Sequence, residues 1–141
     1  MIILDTNVIS ELMREGASPI VRAWAGGQGR EDLVTTVINV MELRVGIEKL
    51  LASRRRRELE AALDRTCAEF FGGRVLKFDL KAACAAAEWQ AWCRRQGRTV
   101  PTTDAQIAGI AISRRIPIAT RDVYDFKGLP IKVSSPWDAP A

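Results

Sequence analysis

The sequence predicts an α/β domain with a mostly parallel central sheet flanked by helices. Two observations carry this expectation. Short all-apolar runs, of which Ile2-Ile3-Leu4 is the first, alternate with longer stretches of helical periodicity. Capping residues follow the apolar runs, as in Asp5-Thr6-Asn7 and Asp79. Such alternation builds parallel strands joined by crossover helices, which cover both faces of the sheet.

Ile2–Leu4 reads as a strand buried on both faces. Asp5-Thr6-Asn7 then starts a helix carrying Val8, Ile9 and Leu12. Ser18-Pro19 opens a second helix that Gly26-Gly27 ends. Leu33-Val34-Thr35-Thr36 is the next strand, followed by a helix from Ile38 past Lys49 and another from Arg54 to Phe70. Leu59, Leu63 and Phe70 stripe that last helix, and Gly72-Gly73 stops it. Val75–Phe78 is a third strand. Asp79 caps a long helix to Arg95, with Gly97 placed to end it. Thr102-Thr103 opens a helix that runs from Asp104 to Ser113. Ile116–Ala119 and Ile131–Val133 are the last two strands, before a Pro-rich tail.

The 141 residues suit one domain, 1–141, with enough chain to bury a core. With 48% hydrophobic and 27% charged residues, the composition is that of a globular protein rather than a disordered one. No segment approaches the ~20 apolar residues that span a bilayer. Asp5 interrupts the opening apolar run, so no signal peptide is expected. Cys67, Cys84 and Cys93 lack metal spacing and read as buried, reduced thiols of a cytoplasmic protein. The net charge of +4 is a modest basic excess that could hold a phosphate backbone around an acidic site.

There is no histidine, which excludes Ser-His-Asp chemistry. Four carboxylates, Asp5, Glu42, Asp104 and Asp122, stand where strands end or helices begin. In open α/β sheets ligands bind beyond the carboxyl ends of the strands, where Asp5 and Asp122 would lie. Glu42 and Asp104 are expected near helix N-termini pointing to that edge. Three and four residues beyond Glu42 stand Val45 and Gly46, and beyond Asp104 stand Ile107 and Ala108, so both acids are expected on apolar faces. Buried acids pair with a base or a metal, and four together suit a hard cation. Taken singly, Asp5 could be only an N-cap, Asp104 a first-turn acid and Asp122 a turn residue.

These residues resemble the motifs of PIN-domain ribonucleases. Asp5-Thr6-Asn7, Glu42 in Val40-Met41-Glu42-Leu43, Asp104-Ala105-Gln106-Ile107-Ala108 and Thr120-Arg121-Asp122-Val123-Tyr124-Asp125-Phe126 follow the family's order. The likeness runs to Pro136-Trp137 and is greatest to the VapC/FitB type, the toxin half of type II toxin–antitoxin pairs. In the FitB-like subgroup the position of Asp122 is often asparagine, while an acid matching Asp125 is retained. Both are present here, and Asp122 is favoured as the acid nearer the strand end.

The resemblance implies a PIN-like three-layer sandwich and Mg²⁺- or Mn²⁺-dependent hydrolysis of phosphodiester bonds in single-stranded or structured RNA. Asp5 and Asp104 are then expected as metal ligands, with Glu42 and Asp122 binding through water or orienting the attacking water. Thr6 and Thr120 could fix carboxylate rotamers or merely cap and pack, and Asn7 could meet substrate or cap its helix. Arg44 and Arg121 could hold a phosphate or form ordinary salt bridges. The implied partners are RNA, a second copy of the chain in a homodimer, and a small antitoxin carrying a DNA-binding domain. The antitoxin's arginine would enter the acidic site.

Two other readings compete. One is a catalytically silent RNA- or protein-binding module on the same fold. The other, a haloacid-dehalogenase phosphatase, needs a second aspartate where Asn7 stands. The run Arg54–Arg57 reads as a solvated helix face, because Arg54 and Arg56 precede Glu58 and Glu60 by one turn. Most of the four tryptophans are expected in the core, with Trp89 and Trp92 as i,i+3 neighbours.

Overall fold

A computed structural model describes residues 1–140. Five parallel strands form the central sheet: β1 (Ile2–Leu4), β2 (Leu33–Thr36), β3 (Val75–Leu76), β4 (Ile118–Ala119) and β5 (Val133–Ser134). Six helices connect them: α1 (Thr6–Met13), α2 (Pro19–Gly26), α3 (Val37–Glu48), α4 (Arg54–Arg65), α5 (Leu80–Arg95) and α6 (Thr102–Arg114). The strand order is β3-β2-β1-β4-β5, with Ile3 paired to Val34 on one side and to Ile118 on the other. The chain therefore builds outward from β1 in one direction and returns to add β4 and β5 in the other. That reversal makes a switch point between β1 and β4, where a crevice opens at the carboxyl ends.

Side chains alternate across the sheet and so seed two cores. Ile3, Val34 and Ile118 face a cluster built with Trp89 of α5 and Ile107 and Ile110 of α6. Leu4, Leu33 and Ala119 face the other cluster, with Val8 and Ile9 of α1, Val21 of α2 and Phe71. Helices on both faces give the expected three layers.

β1 and β2 have the expected bounds, but β3, β4 and β5 are shorter than the apolar runs suggested. β3 stops at Leu76, leaving Lys77 and Phe78 outside the ladder. Ile116 is absent from β4 because its N–H donates to Ala111 O, closing the end of α6. β5 begins at Val133 rather than Ile131. The helix expected to reach Phe70 does so, but its last stretch, Thr66–Phe70, widens into a π-turn closed by Phe71 N–H to Thr66 O at 3.0 Å. The arginine run pairs locally as expected, Arg54 with Glu58 at 3.0 Å and Arg56 with Glu60 at 3.1 Å. Cys93 is buried, but Cys84 lies exposed on α5, contrary to expectation. Of the tryptophans, Trp89 is in the core while Trp92 is at the surface.

Helices α5 and α6 cross closely, and Gly109 permits it. A Cβ there would lie 2.2 Å from Ala82 O and 2.7 Å from Ala86 Cβ, backbone and core atoms with nowhere to go. Gly109→Ala should therefore destabilise by about 1–3 kcal/mol despite alanine's better helix propensity. Chemical denaturation would check this, and a more stable variant would contradict it.

Candidate active site

Asp5 leaves β1 and caps α1, its Oδ1 accepting the Thr6 N–H at 2.9 Å. Only 8% of the residue is exposed, so a carboxylate here needs donors. Oδ1 also accepts from Asn39 Nδ2 at 2.9 Å, and Oδ2 accepts from the Thr120 hydroxyl at 2.7 Å. Burial nevertheless outweighs these bonds and raises the Asp5 pKa above its ordinary value, with Asp122 adding repulsion.

Asn39 holds this arrangement together. It is fully buried, and its Oδ1 accepts from the Thr36 hydroxyl at 2.6 Å. That bond turns Nδ2 outward, where it donates to Asp5 Oδ1 and, at 3.1 Å, to Thr6 Oγ1. Thr6 in turn donates to Glu42 Oε1 at 2.9 Å. A single chain of donors thus runs from Thr36 at the end of β2 to two acids on different elements.

A second chain orders the β4 end. Thr120 Oγ1 accepts the Asp122 N–H at 3.1 Å while donating to Asp5. Asn7 Nδ2 donates to Asp122 Oδ2 at 3.1 Å, and Asn7 Oδ1 accepts the Arg121 N–H at the same distance. Asp104, in the first turn of α6, is half-buried above buried Ile107 and Ala108. Burial first, and then Asp5, Asp125, Glu42 and Asp122, push its pKa up to about 6. The five acids, with Thr6, Asn7 and Arg121, line one open cleft of about 510 Å³, together with Ser10, Glu11, Arg14 and Trp137.

The PIN domain family profile matches residues 2–130. The chain belongs to the PIN-domain family. Over 99% of its length it is 40% identical to the whole of a plasmid stability protein StbB from Pseudomonas syringae pv. tomato. It is 36% identical over 98% of its length to VapC ribonuclease Y4jK from Sinorhizobium fredii, covering 99% of that protein. It is also 34% identical over 97% of its length to Toxin FitB from Neisseria gonorrhoeae, again covering 99%. A FitAB complex solved with a DNA fragment matches the fold with a TM-score of 0.90 at 32% identity, covering 100% of this chain and 99% of that one.

In this PIN domain the four acids singled out in the sequence, Asp5, Glu42, Asp104 and Asp122, all reach the cleft, as do Asp125, Thr6, Asn7 and Arg121. Thr120 stands directly behind Asp5. Arg44 does not line it: its guanidinium lies 3.9 Å from Asp64 of α4, in an exposed ion pair. Glu42 arrives differently from expectation. It sits mid-way along α3 rather than at its N-terminus, and Val45 and Gly46 below it are exposed. The apolar-face argument holds for Asp104 and fails for Glu42, whose position comes from α3 packing against α1. Asn39 was missed altogether. Its signal was an amide amid the apolar residues of Val37-Ile38-Asn39-Val40, directly after a Thr-Thr strand end.

The donor set suits a hard cation, since it offers carboxylate, amide and hydroxyl oxygens and neither imidazole nor thiolate. Among the described residues no three acids close on one point tightly enough to enclose an ion unaided. Mg²⁺ and Mn²⁺ fit such a cleft because they retain several waters, which bridge to more distant carboxylates. No helix among the described residues is long and apolar enough to cross a membrane.

Proposed function

We propose that the chain is a single PIN domain acting in the cytoplasm as the toxin of a toxin–antitoxin pair. Its activity is metal-dependent endonucleolytic hydrolysis of RNA. The observation that carries this reading is the convergence of Asp5, Glu42, Asp104, Asp122 and Asp125 on one open cleft at the sheet's switch point. Burial, and after it the repulsion of neighbouring acids, raises Asp104 to about 6, a stress of the kind a cation relieves. The relatives named as a VapC ribonuclease and as Toxin FitB supply the reaction class and the toxin role.

Asp5 and Asp104 are assigned as the direct metal ligands. Thr6, Asn39 and Thr120 hold the Asp5 carboxylate in one rotamer and leave an oxygen lone pair of Oδ2 for the cation. Mg²⁺ or Mn²⁺ held there would supply an activated water and offset the charge that builds on the attacked phosphate. Glu42, oriented by Thr6, and Asp122, oriented by Asn7, accept hydrogen bonds from water and aim it. Two copies of the chain would form a homodimer. An antitoxin arginine entering the cleft would bind the same carboxylates and exclude metal.

The test is cleavage of a quenched fluorescent single-stranded RNA by antitoxin-free protein, with Mg²⁺, with Mn²⁺ and with EDTA. Cleavage is expected with either metal and none with EDTA. Absence of cleavage across varied RNAs, together with no metal-induced rise in melting temperature, would instead favour a catalytically silent module.

A further inference from the structure

The acidic cleft has one basic wall. Arg121 lines it next to Asp122, and the guanidinium carbon lies 4.9 Å from the centre of the Trp137 ring. Trp137 is itself half-buried, packed against the cluster beneath α1 and α2. The Arg121 backbone is tied down by its N–H bond to Asn7 Oδ1, so the side chain starts from a fixed point. Among the described residues no carboxylate lies within ion-pair distance of the Arg121 guanidinium.

Arg14, the other arginine on the cleft, is already committed. It holds both oxygens of Glu11, through Nε at 3.2 Å and Nη2 at 2.8 Å. Glu11 is near enough to feel the charge of Arg121, but its oxygens are taken by Arg14 and the Ser18 N–H. Arg121 is therefore the cation left to meet a ligand.

We propose that Arg121, stacked on Trp137 as a pedestal, binds a backbone phosphate of single-stranded RNA next to the phosphate presented to the acids. The inference rests on the ribonuclease reading and adds a substrate contact to it. Six carboxylates line the cleft and repel a polyanion, so the strand needs a positive anchor beside them. The indole face holds the guanidinium by a cation–π contact that uses none of its N–H donors, which leaves the fork free for bidentate phosphate binding. Because Arg121 covers it, Trp137 acts as the support rather than as a stacking surface for a base.

Fluorescence anisotropy of a labelled single-stranded RNA tests this, with Mg²⁺ present and Asp104→Asn as the uncut background. Adding Arg121→Gln should weaken binding about tenfold and flatten the slope of log affinity against log salt by about 0.7, one phosphate's worth. Trp137→Leu should weaken binding about threefold with the slope kept, and Trp137→Phe should restore most of the loss. Arg121 is exposed, so its substitution leaves the fold intact. Unchanged affinity and slope in Arg121→Gln would overturn the proposal, and unchanged affinity in Trp137→Leu would overturn the pedestal. No RNA binding by Asp104→Asn, with no cleavage by the unsubstituted protein, would overturn the ribonuclease reading and this contact with it.

Discussion

Replacing Asp104 with asparagine is expected to reduce RNA cleavage on the order of 10³-fold while making the metal-free protein more stable. The two effects have one cause. Burial first, and then the charges of Asp5, Asp125, Glu42 and Asp122, raise the Asp104 pKa from 3.8 to about 6. The folded protein thus binds this proton more tightly than the unfolded chain does. Its contribution to stability is fully present below about pH 4 and is lost as pH rises through about 6. Asparagine has no such loss. The difference at pH 7 should be on the order of 1 kcal/mol, because partial exposure screens much of the repulsion. Melting curves in EDTA at pH 4 and pH 7 would measure it. Mg²⁺ should raise the melting temperature of the unsubstituted protein at pH 7 and do far less for the variant. Identical pH dependence in the two proteins would rule out this account of Asp104.

Asn39→Asp should be the most damaging isosteric change near the cleft. The side chain keeps its size but loses the two donors that reach Asp5 Oδ1 and Thr6 Oγ1. It also brings a charge to a fully buried position 2.9 Å from another carboxylate. Unpaired buried charges and unsatisfied acceptors of this kind cost about 3–5 kcal/mol. For a chain of this size that is a fall in melting temperature on the order of 10 °C. Cleavage should fall as well, since Asp5 and Glu42 lose their common support. Urea denaturation would decide the matter, and a loss below about 1 kcal/mol would show that Asn39 does not hold the cluster.

Much of the fold was readable because its signals are local. Strand and helix order follows from apolar runs and periodicity, and the caps at Asp5 and Asp79 both hydrogen-bond into their helices. Asp5 and Asp104 could be placed at the carboxyl edge for the same reason: one directly follows a strand, and the other opens a helix above Ile107 and Ala108. Strand ends were read less well, since pairing rather than hydrophobicity sets them. Ile116 is apolar yet spends its N–H on α6, and Phe78 is apolar yet has no partner strand.

By itself, then, the amino-acid sequence determined the α/β class, the element order and a histidine-free set of acids suited to a hard cation. Only the tertiary structure decided how those acids are held. Glu42 reaches the cleft from the middle of α3 because Thr6 of α1 lies against it, and Arg44, two residues on, turns away to Asp64. Asn39 became visible only when Asp5, 34 positions earlier, stood within its reach. Arg121 acquired its support only when the chain end returned Trp137 beneath it. Propensity and periodicity act over a few residues, whereas hydrogen bonds and stacking depend on distances that exist only once the sheet has brought remote segments together.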